Sequence, residues 1–469
     1  MIPVLTPDQM RAADSAALAS VVDDGVFIAR AGRAVAQVAR TMMGGTYGRK
    51  VVVVAGKGHN GDDGRVAGQW LAQWGARVRV LDASVAGGEF LEPGDVDLVV
   101  DAAYGIGFRG EWSPPIVWGV PVLAVDIPSG LDAGTGTVSG GVLVADRTVT
   151  FAAPKTGMFF GEGPAACGEI DLVDVGIDTA GCADVFVVET ADVAAWLEPR
   201  ARDAHKWNHA LRVVAGSPGM GGAAALVSAS AMRAGAGIVH LSWRGTESTV
   251  QPPTEVVGRH LPADGWDRFV AADVSRFGAM VVGPGLGRGD DVGAEVRSML
   301  TACTIPTVID GDGIAAAIDP AGTHETLRAR GADTLLTPHD GEFAMLGGDA
   351  DDPDRIAATR RLAATTGCTV LRKGPTTIVA DPEGAVLLVV SGDQRLATAG
   401  SGDVLAGIAG AFMARGLAAP IAAAAAAHVH GLAAAECAVE GTIARDLVAA
   451  IADVLSAVAR TAVGGADVG

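Results

Sequence analysis

The chain has 469 residues, 65 of them glycine and 4% aromatic, a length for two or three domains and a composition that suits helices on sheets better than a β-sandwich. Thirty-five Lys and Arg against 54 Asp and Glu leave a net charge of −19, which excludes nucleic acid as the expected partner, although backbone amides and a few lysines can still hold a small anion. The five cysteines are scattered and never form a CxxC pair, the start at Met1–Asp8 lacks signal-peptide character, and the uncharged stretches from Val213 and Gly416 read as protein core, so a reducing, cytoplasmic location without membrane contact is expected.

Short β-branched runs alternate with Ala-rich stretches throughout, the pattern of parallel sheets with crossover helices, and the fold class is therefore α/β. The first series of strands reads Lys50–Ala55, Arg77–Leu81, Leu98–Asp101, Pro121–Val125 and Thr148–Phe151. The second reads Leu211–Ala215, Gly237–Leu241, Ala279–Val282, Pro306–Ile309, Asp333–Leu336, Thr369–Leu371, Thr376–Val379 and Ala385–Val390. Between them, Asp174–Lys206 carries no motif-like loop, which puts a domain boundary near residue 188 and divides 1–188 from 189–469. His428 and His430 stand two apart on a helical stretch, a spacing that points to different faces rather than to a metal site.

In open α/β sheets ligands sit beyond the carboxyl ends of the strands, and the unusual residues of the first half gather there. Val51–Ala55 runs into Gly56-Lys-Gly-His-Asn-Gly-Asp-Asp-Gly64, with a helix expected from about Arg65. The glycines let the backbone approach an anion, but the Lys is misplaced for a Walker loop and no GK[ST] follows. Asp101, in Val-Val-Asp-Ala-Ala-Tyr-Gly-Ile-Gly-Phe-Arg-Gly110, and Asp126, in Ala-Val-Asp-Ile-Pro-Ser-Gly-Leu-Asp132, end two further strands.

These three motifs, in this order and spacing, resemble the NAD(P)H-hydrate epimerase family, and Thr148-Val-Thr-Phe-Ala-Ala-Pro-Lys155 looks like its later signature. The resemblance implies a Rossmann-like three-layer domain in which Asn60, Asp101 and Ser129 hold potassium, all three being oxygen donors suited to a hard cation. It implies that His59, Asn60, Gly61, Asp62 and Asp63, with Gly105, Ile106, Gly107, Phe108, Arg109, Gly110 and Glu111, cradle the nucleotide phosphates. Asp126 would contact the hydrated ring and move the proton at the epimerised centre. His59 stands where the family usually has Asn and Asp62 where it has Gly, an extra carboxylate that suits a phosphate site only if it turns away or helps the cation. Because relatives of this domain also serve as scaffolds, a binding module is the alternative for this half.

In the second half, Ala397-Thr-Ala-Gly-Ser-Gly-Asp403 precedes the apolar run Val404–Phe412, so successive amides at a helix N-terminus can hold a transferring phosphoryl group beside a general base, Asp403. The string resembles the ribokinase-like superfamily and, more narrowly, the ADP-dependent NAD(P)H-hydrate dehydratases. Val213-Val-Ala-Gly-Ser-Pro-Gly-Met-Gly-Gly-Ala-Ala224, Val282-Gly-Pro-Gly-Leu-Gly287, Leu336-Thr-Pro-His-Asp-Gly-Glu-Phe343 and Leu371-Arg-Lys-Gly-Pro-Thr-Thr377 agree in order with that family's blocks.

The implied reaction phosphorylates the ring hydroxyl of the S hydrate from ADP, with magnesium bridging the nucleotide phosphates, and eliminates phosphate to leave NADH or NADPH and AMP. Lys373, Gly374, Pro375, Thr376 and Thr377, with Gly400, Ser401 and Gly402, would bind ADP. Gly287, His339 and Asp403 would face the hydrate, and Ala223 or Ala224 would line its pocket. Two departures, Lys206 followed by Trp207 and Ala210, and Asp310-Gly-Asp-Gly313 in place of Asp-Ala-Asp-Ala, predict a reshaped rim. The expected partners are hydrated NADH and NADPH, ADP, and further copies of the chain in a homo-oligomer. Two other readings are a ribokinase-like vitamin-precursor kinase fused to a non-catalytic nucleotide-binding scaffold, which leaves the first half unexplained, and a scaffold without turnover, for which Asp403 has no purpose.

Overall fold

The computed structural model describes residues 1–20 and 25–464 and separates into two compact units, Ile2–Val185 and Phe186 onward. The first unit contains α1 (Pro7–Ser20), α2 (Gly25–Met42), β1 (Lys50–Ala55), α3 (His59–Gln73), β2 (Arg77–Asp82), β3 (Leu98–Ala102), β4 (Val122–Val125), β5 (Arg147–Phe151) and β6 (Glu169–Val173). These six strands form one sheet in the order β2-β1-β3-β4-β5-β6, with every pair parallel.

Strand alternation explains the unbroken valine runs. Val51, Val53, Leu98 and Val100 pack with Val35, Ala67 and Leu71 of α2 and α3, whereas Val52, Val54, Val99 and Ala124 pack under Leu91, Trp112 and Leu143 on the opposite face. The sheet is thus buried on both faces, the three-layer Rossmann-like arrangement expected for this half. Strand β6 was not anticipated, because Glu-Ile-Asp-Leu-Val is a partly exposed edge that interleaves acids with apolar residues.

In the second unit, β7 (Ala210–Val214), α4 (Gly221–Arg233), β8 (Ile238–Trp243), β9 (Val257–His260), β10 (Ala279–Val282), β11 (Thr307–Ile309), β12 (Thr334–Leu336), α5 (Asp340–Met345), β13 (Thr369–Arg372), β14 (Thr377–Ala380), β15 (Val386–Val389), α6 (Ser401–Ala414) and α7 (Ala419–Ala435) build a ribokinase-like domain. The strand order is β15-β14-β13-β12-β11-β10-β7-β8-β9.

Pairing is parallel from β9 to β13, but β13, β14 and β15 run antiparallel, which corrects the all-parallel expectation. The Lys373–Thr376 connection is too short for a crossover and forces a hairpin. Strand β9, Val-Gly-Arg-His, was also missed, since its composition gives no alternation. Helices α6 and α7 are buried almost throughout and form the centre of the core with α4. No helix of the described residues is long and apolar enough to cross a membrane.

In both sheets the chain lays strands to one side and then returns to the other, which opens a crevice at the switch point. In the first unit that crevice lies between the loops after β1 and β3. In the second it lies between the loops after β7 and β10.

Candidate functional site

A cavity of about 790 Å³ in the first unit is lined by residues that follow β1, β3, β4 and β5, with α1 and α2 contributing Asp14 and Phe27. Helix α3 begins at His59 rather than near Arg65, so the expected phosphate loop is the first turn of a helix capped by an extended Gly58. Its glycines serve close approach: a Cβ at Gly61 would collide with the Gly56 carbonyl, and one at Gly64 with the Ala102 side chain. The first i→i−4 bond runs from the Asp62 amide to the Gly58 carbonyl at 3.1 Å, which leaves the amides before it free of the helix.

The expected phosphate-binding residues divide. His59, Asn60, Asp63, Gly105, Ile106, Gly107, Phe108, Arg109 and Glu111 line the cavity; Gly61, Asp62 and Gly110 do not. Asp62 instead pairs with Arg65 at 3.1 Å, so the extra carboxylate turns away.

Both polar atoms of the Asn60 side chain are buried without a hydrogen-bond partner. Ser129 Oγ donates to Asp101 Oδ1 at 2.6 Å and accepts from the Tyr104 amide at 2.8 Å, while the Ser129 amide donates to Asp101 Oδ2 at 2.8 Å. Burial outweighs these bonds and pushes the Asp101 carboxyl up to about 6. An orphaned carboxamide oxygen, a hydroxyl and a buried carboxylate fit a hard monovalent cation; the Tyr104 amide bonds Ser129, and a Cβ on the next residue, Gly105, would lie 3.4 Å from that of Asn60.

Asp126 follows β4 in a left-handed conformation, φ 67°, closed by the Ile127 amide donating to the Val125 carbonyl at 2.8 Å. Ala152, after the neighbouring β5, repeats this tight turn with φ 61°. Such a backbone is strained for a residue with a Cβ, and it aims the Asp126 carboxylate into the cavity. There it accepts from the Lys155 ammonium, which also donates to Thr150 Oγ1 at 2.9 Å and to the Phe151 carbonyl at 3.3 Å. The Lys155 side chain is only 1% exposed.

Lys155 closes the Thr148–Lys155 segment directly after a buried strand, a position that marks it in the sequence as a residue of this site. Asp14 was missed because an acid on α1 reads as a solvated helix face. Burial, then Asp126, raises its carboxyl, against Lys155 and His59.

In the second unit Gly400, φ 89°, caps α6, so Ser401 and Gly402 begin its first turn and Ser401 Oγ donates to the Leu396 carbonyl at 2.7 Å. Asp403 on that turn has its carboxyl pushed up to about 7 by burial first and by Asp310 next, with Lys373 opposing. The Lys373 ammonium donates to Asp310 Oδ1 at 2.6 Å and would lie 3.3 Å from a Cβ on Gly402, so it sits beside the α6 N-terminus. Asp310 also accepts from Thr337 Oγ1 at 2.7 Å. Asp312 accepts from the Gly287 amide and from Arg288 Nε, each at 2.9 Å. The two acids of the departing Asp310–Gly313 segment therefore hold Lys373 and Gly287 in place.

His339 caps α5, its Nδ1 accepting from the Gly341 and Glu342 amides at 3.0 and 3.2 Å, and its side chain is 63% exposed. Ala224 is fully buried in the core, whereas the half-buried Ala223 lies toward Gly285. Gly374 and Pro375 lie in the β13–β14 hairpin, Thr376 is buried and Thr377 opens β14. His428, buried in α7, meets Thr190 Oγ1 at 3.0 Å, and His430 is buried in the same helix. Among the described residues no group of three or more His, Cys, Asp and Glu side chains could hold a metal ion.

Residues 211–456 match the NAD(P)H-hydrate dehydratase family, and residues 25–89 and 82–157 match the family described as YjeF-related protein N-terminus. The chain is 38% identical over 439 residues to the bifunctional NAD(P)H-hydrate repair enzyme of Mycobacterium tuberculosis, an alignment that covers 87% of this chain and 89% of that one. The enzyme of the same description from Escherichia coli is 32% identical, with coverage of 86% and 84%. The ADP/ATP-dependent NAD(P)H-hydrate dehydratase from Bacillus subtilis, co-crystallised with ATP and Mg2+, is 26% identical with a TM-score of 0.51 and covers 58% of this chain and 99% of its own. With both halves matched and whole-length relatives above 30% identity, the chain belongs to the bifunctional NAD(P)H-hydrate repair enzyme family.

Proposed function

We propose that this chain returns hydrated NADH and NADPH to the reduced dinucleotides in two steps, with residues 1–188 as the epimerase domain and residues 189–469 as the ADP-dependent dehydratase domain. The observation that carries the reading is Asp403, a carboxyl raised to about 7 on the first turn of the helix that Gly400 caps. A base with a pKa near the working pH can take the proton of the ring hydroxyl, while the amides at Gly400–Gly402 receive the transferring phosphoryl group. Lys373, held by Asp310, stands beside that helix turn to meet nucleotide phosphate, with Gly374–Thr377 as the adjoining wall. Magnesium would be held mainly through the nucleotide phosphates, where it supplies charge neutralisation. Gly287 and His339 would face the hydrate, and Ala223 suits its pocket wall better than the buried Ala224.

In the first domain Asp126 is the proton carrier, and Asn60, Asp101 and Ser129 form the potassium site. The cavity-lining members of His59–Asp63 and Gly105–Glu111 bind the nucleotide. The kinase-plus-scaffold alternative gives the buried Asp126–Lys155 pair no purpose. The same proposal puts the chain in the cytoplasm, where its cysteines stay reduced, and in a homo-oligomer. The test is to incubate the protein with ADP, magnesium and a mixed-epimer preparation of NADPH hydrate while following the absorbance of the reduced ring. AMP release equal to NADPH recovery is expected; activity confined to ATP, or no recovery, would overturn the reading.

A further inference from the structure

Asp63 shares the first-unit cavity with Asp126 and Lys155, and its side chain is nearly buried on the first turns of α3. Lys155 bonds Asp126 as a carboxylate, but the Asp63 carboxyl makes no hydrogen bond or ion pair among the described residues. A buried, unpaired carboxylate in such a place repels a phosphate and costs free energy, which a neutral carboxylic acid avoids. Asp62, on the same helix, is turned to Arg65. The other ionisable side chains on the cavity are His59, Asp14 from α1, and Lys57, Tyr104, Arg109 and Glu111 from the loops.

We propose that Asp63 is a second catalytic residue of the epimerase, the acid that works opposite Asp126 as base; this rests on the epimerase reading above. Burial first, then Asp126 and Asp62, pushes the Asp63 carboxyl up to about 8, so it carries a proton at neutral pH. The pair permits a balanced ring opening. Asp126 takes the proton of the carbon-six hydroxyl as the C6=O bond forms. The C6–N1 bond breaks, its electron pair goes to N1, and Asp63 delivers its proton there. Rotation about C5–C6 presents the other face of the aldehyde. N1 then attacks and returns its proton to Asp63, while Asp126 returns a proton to the oxygen. Two carboxyls with opposite protonation states thus exchange roles and are restored.

The experiment separates the R and S hydrates of NADPH by chromatography, starting from one epimer without ADP, for the full-length wild type, Asp63→Asn, Asp63→Glu and Asp126→Asn. Asp63→Asn should lower kcat for epimerisation by roughly 10²–10⁴-fold with KM within about threefold, and the alkaline limb of its pH profile should vanish. Asp63→Glu should restore part of the rate and that limb, which a merely structural carboxyl would not do. An Asp63→Asn rate near wild type, or a raised KM with kcat kept, overturns the proposal while Asp126→Asn inactivity leaves the epimerase reading standing. A wild type that does not interconvert the epimers overturns both.

Discussion

The pH at which dehydration switches on should report the carboxyl of Asp403. A base works only when deprotonated, so raising its pKa from 3.8 to about 7 moves the acid limb of kcat/KM upward by the same interval. At pH 7 about half the molecules carry the base; at pH 6 about a tenth do, a roughly fivefold loss, whereas pH 8 gains less than about twofold. The neighbours give the limb a direction. Asp310 raises the carboxyl and Lys373 lowers it, so Asp310→Asn should shift the limb to lower pH and Lys373→Met to higher pH. Initial rates of NADPH formation from the S hydrate, with ADP and magnesium saturating, would be measured from about pH 5 to about pH 9. A limb near the ordinary carboxylate value, or the same displacement in both variants, would refute the assignment of Asp403 as base.

Asp403→Asn should cost roughly 10²–10⁴-fold in dehydration while epimerisation continues, and a near wild-type rate would remove Asp403 from the chemistry. Asp126→Ala should convert only part of a mixed-epimer substrate promptly and then slow to the spontaneous epimerisation rate; full conversion at wild-type speed would make the first unit a scaffold. Asn60→Ala should weaken epimerisation and abolish its response to potassium, read by exchanging potassium for a bulky organic cation, and an undiminished response would place the cation elsewhere. Gly61→Ala puts a Cβ against the Gly56 carbonyl and should destabilise the first unit by about 1–3 kcal/mol; an unchanged thermal unfolding curve would contradict the close approach.

Strands such as Lys50–Ala55 and Ala279–Val282 could be read to the residue, because a parallel strand buried on both faces is an unbroken β-branched run between polar stops. The edges β6 and β9 could not, since partial exposure admits acids, arginine and histidine that dilute the pattern. The start of α3 was hidden by its own glycines, which read as loop yet are there to seat a helix against β1 and β3. The candidate residues stand out in the sequence where a motif sits at a strand end, as with Asp101 and Asp126, or on the first turn of a helix, as with Asp403. Lys155 and Asp14 reach the cavity from segments distant in sequence, so their meeting with Asp126 is a property of the tertiary fold.

The paired left-handed turns at Asp126 and Ala152 have a consequence for redesign. The Cα–Cβ direction of Asp126 is written into the main chain, with the hydrogen bond from Ile127 locking it, and the Lys155 ammonium holds the carboxylate at its end. A glutamate there would overshoot along that fixed vector, and moving the acid one position along the chain would aim it elsewhere. Only a residue of the same length can occupy the position without re-aiming it, which makes asparagine a shape-neutral probe and leaves laboratory evolution little room to shift the carboxylate by substitution alone.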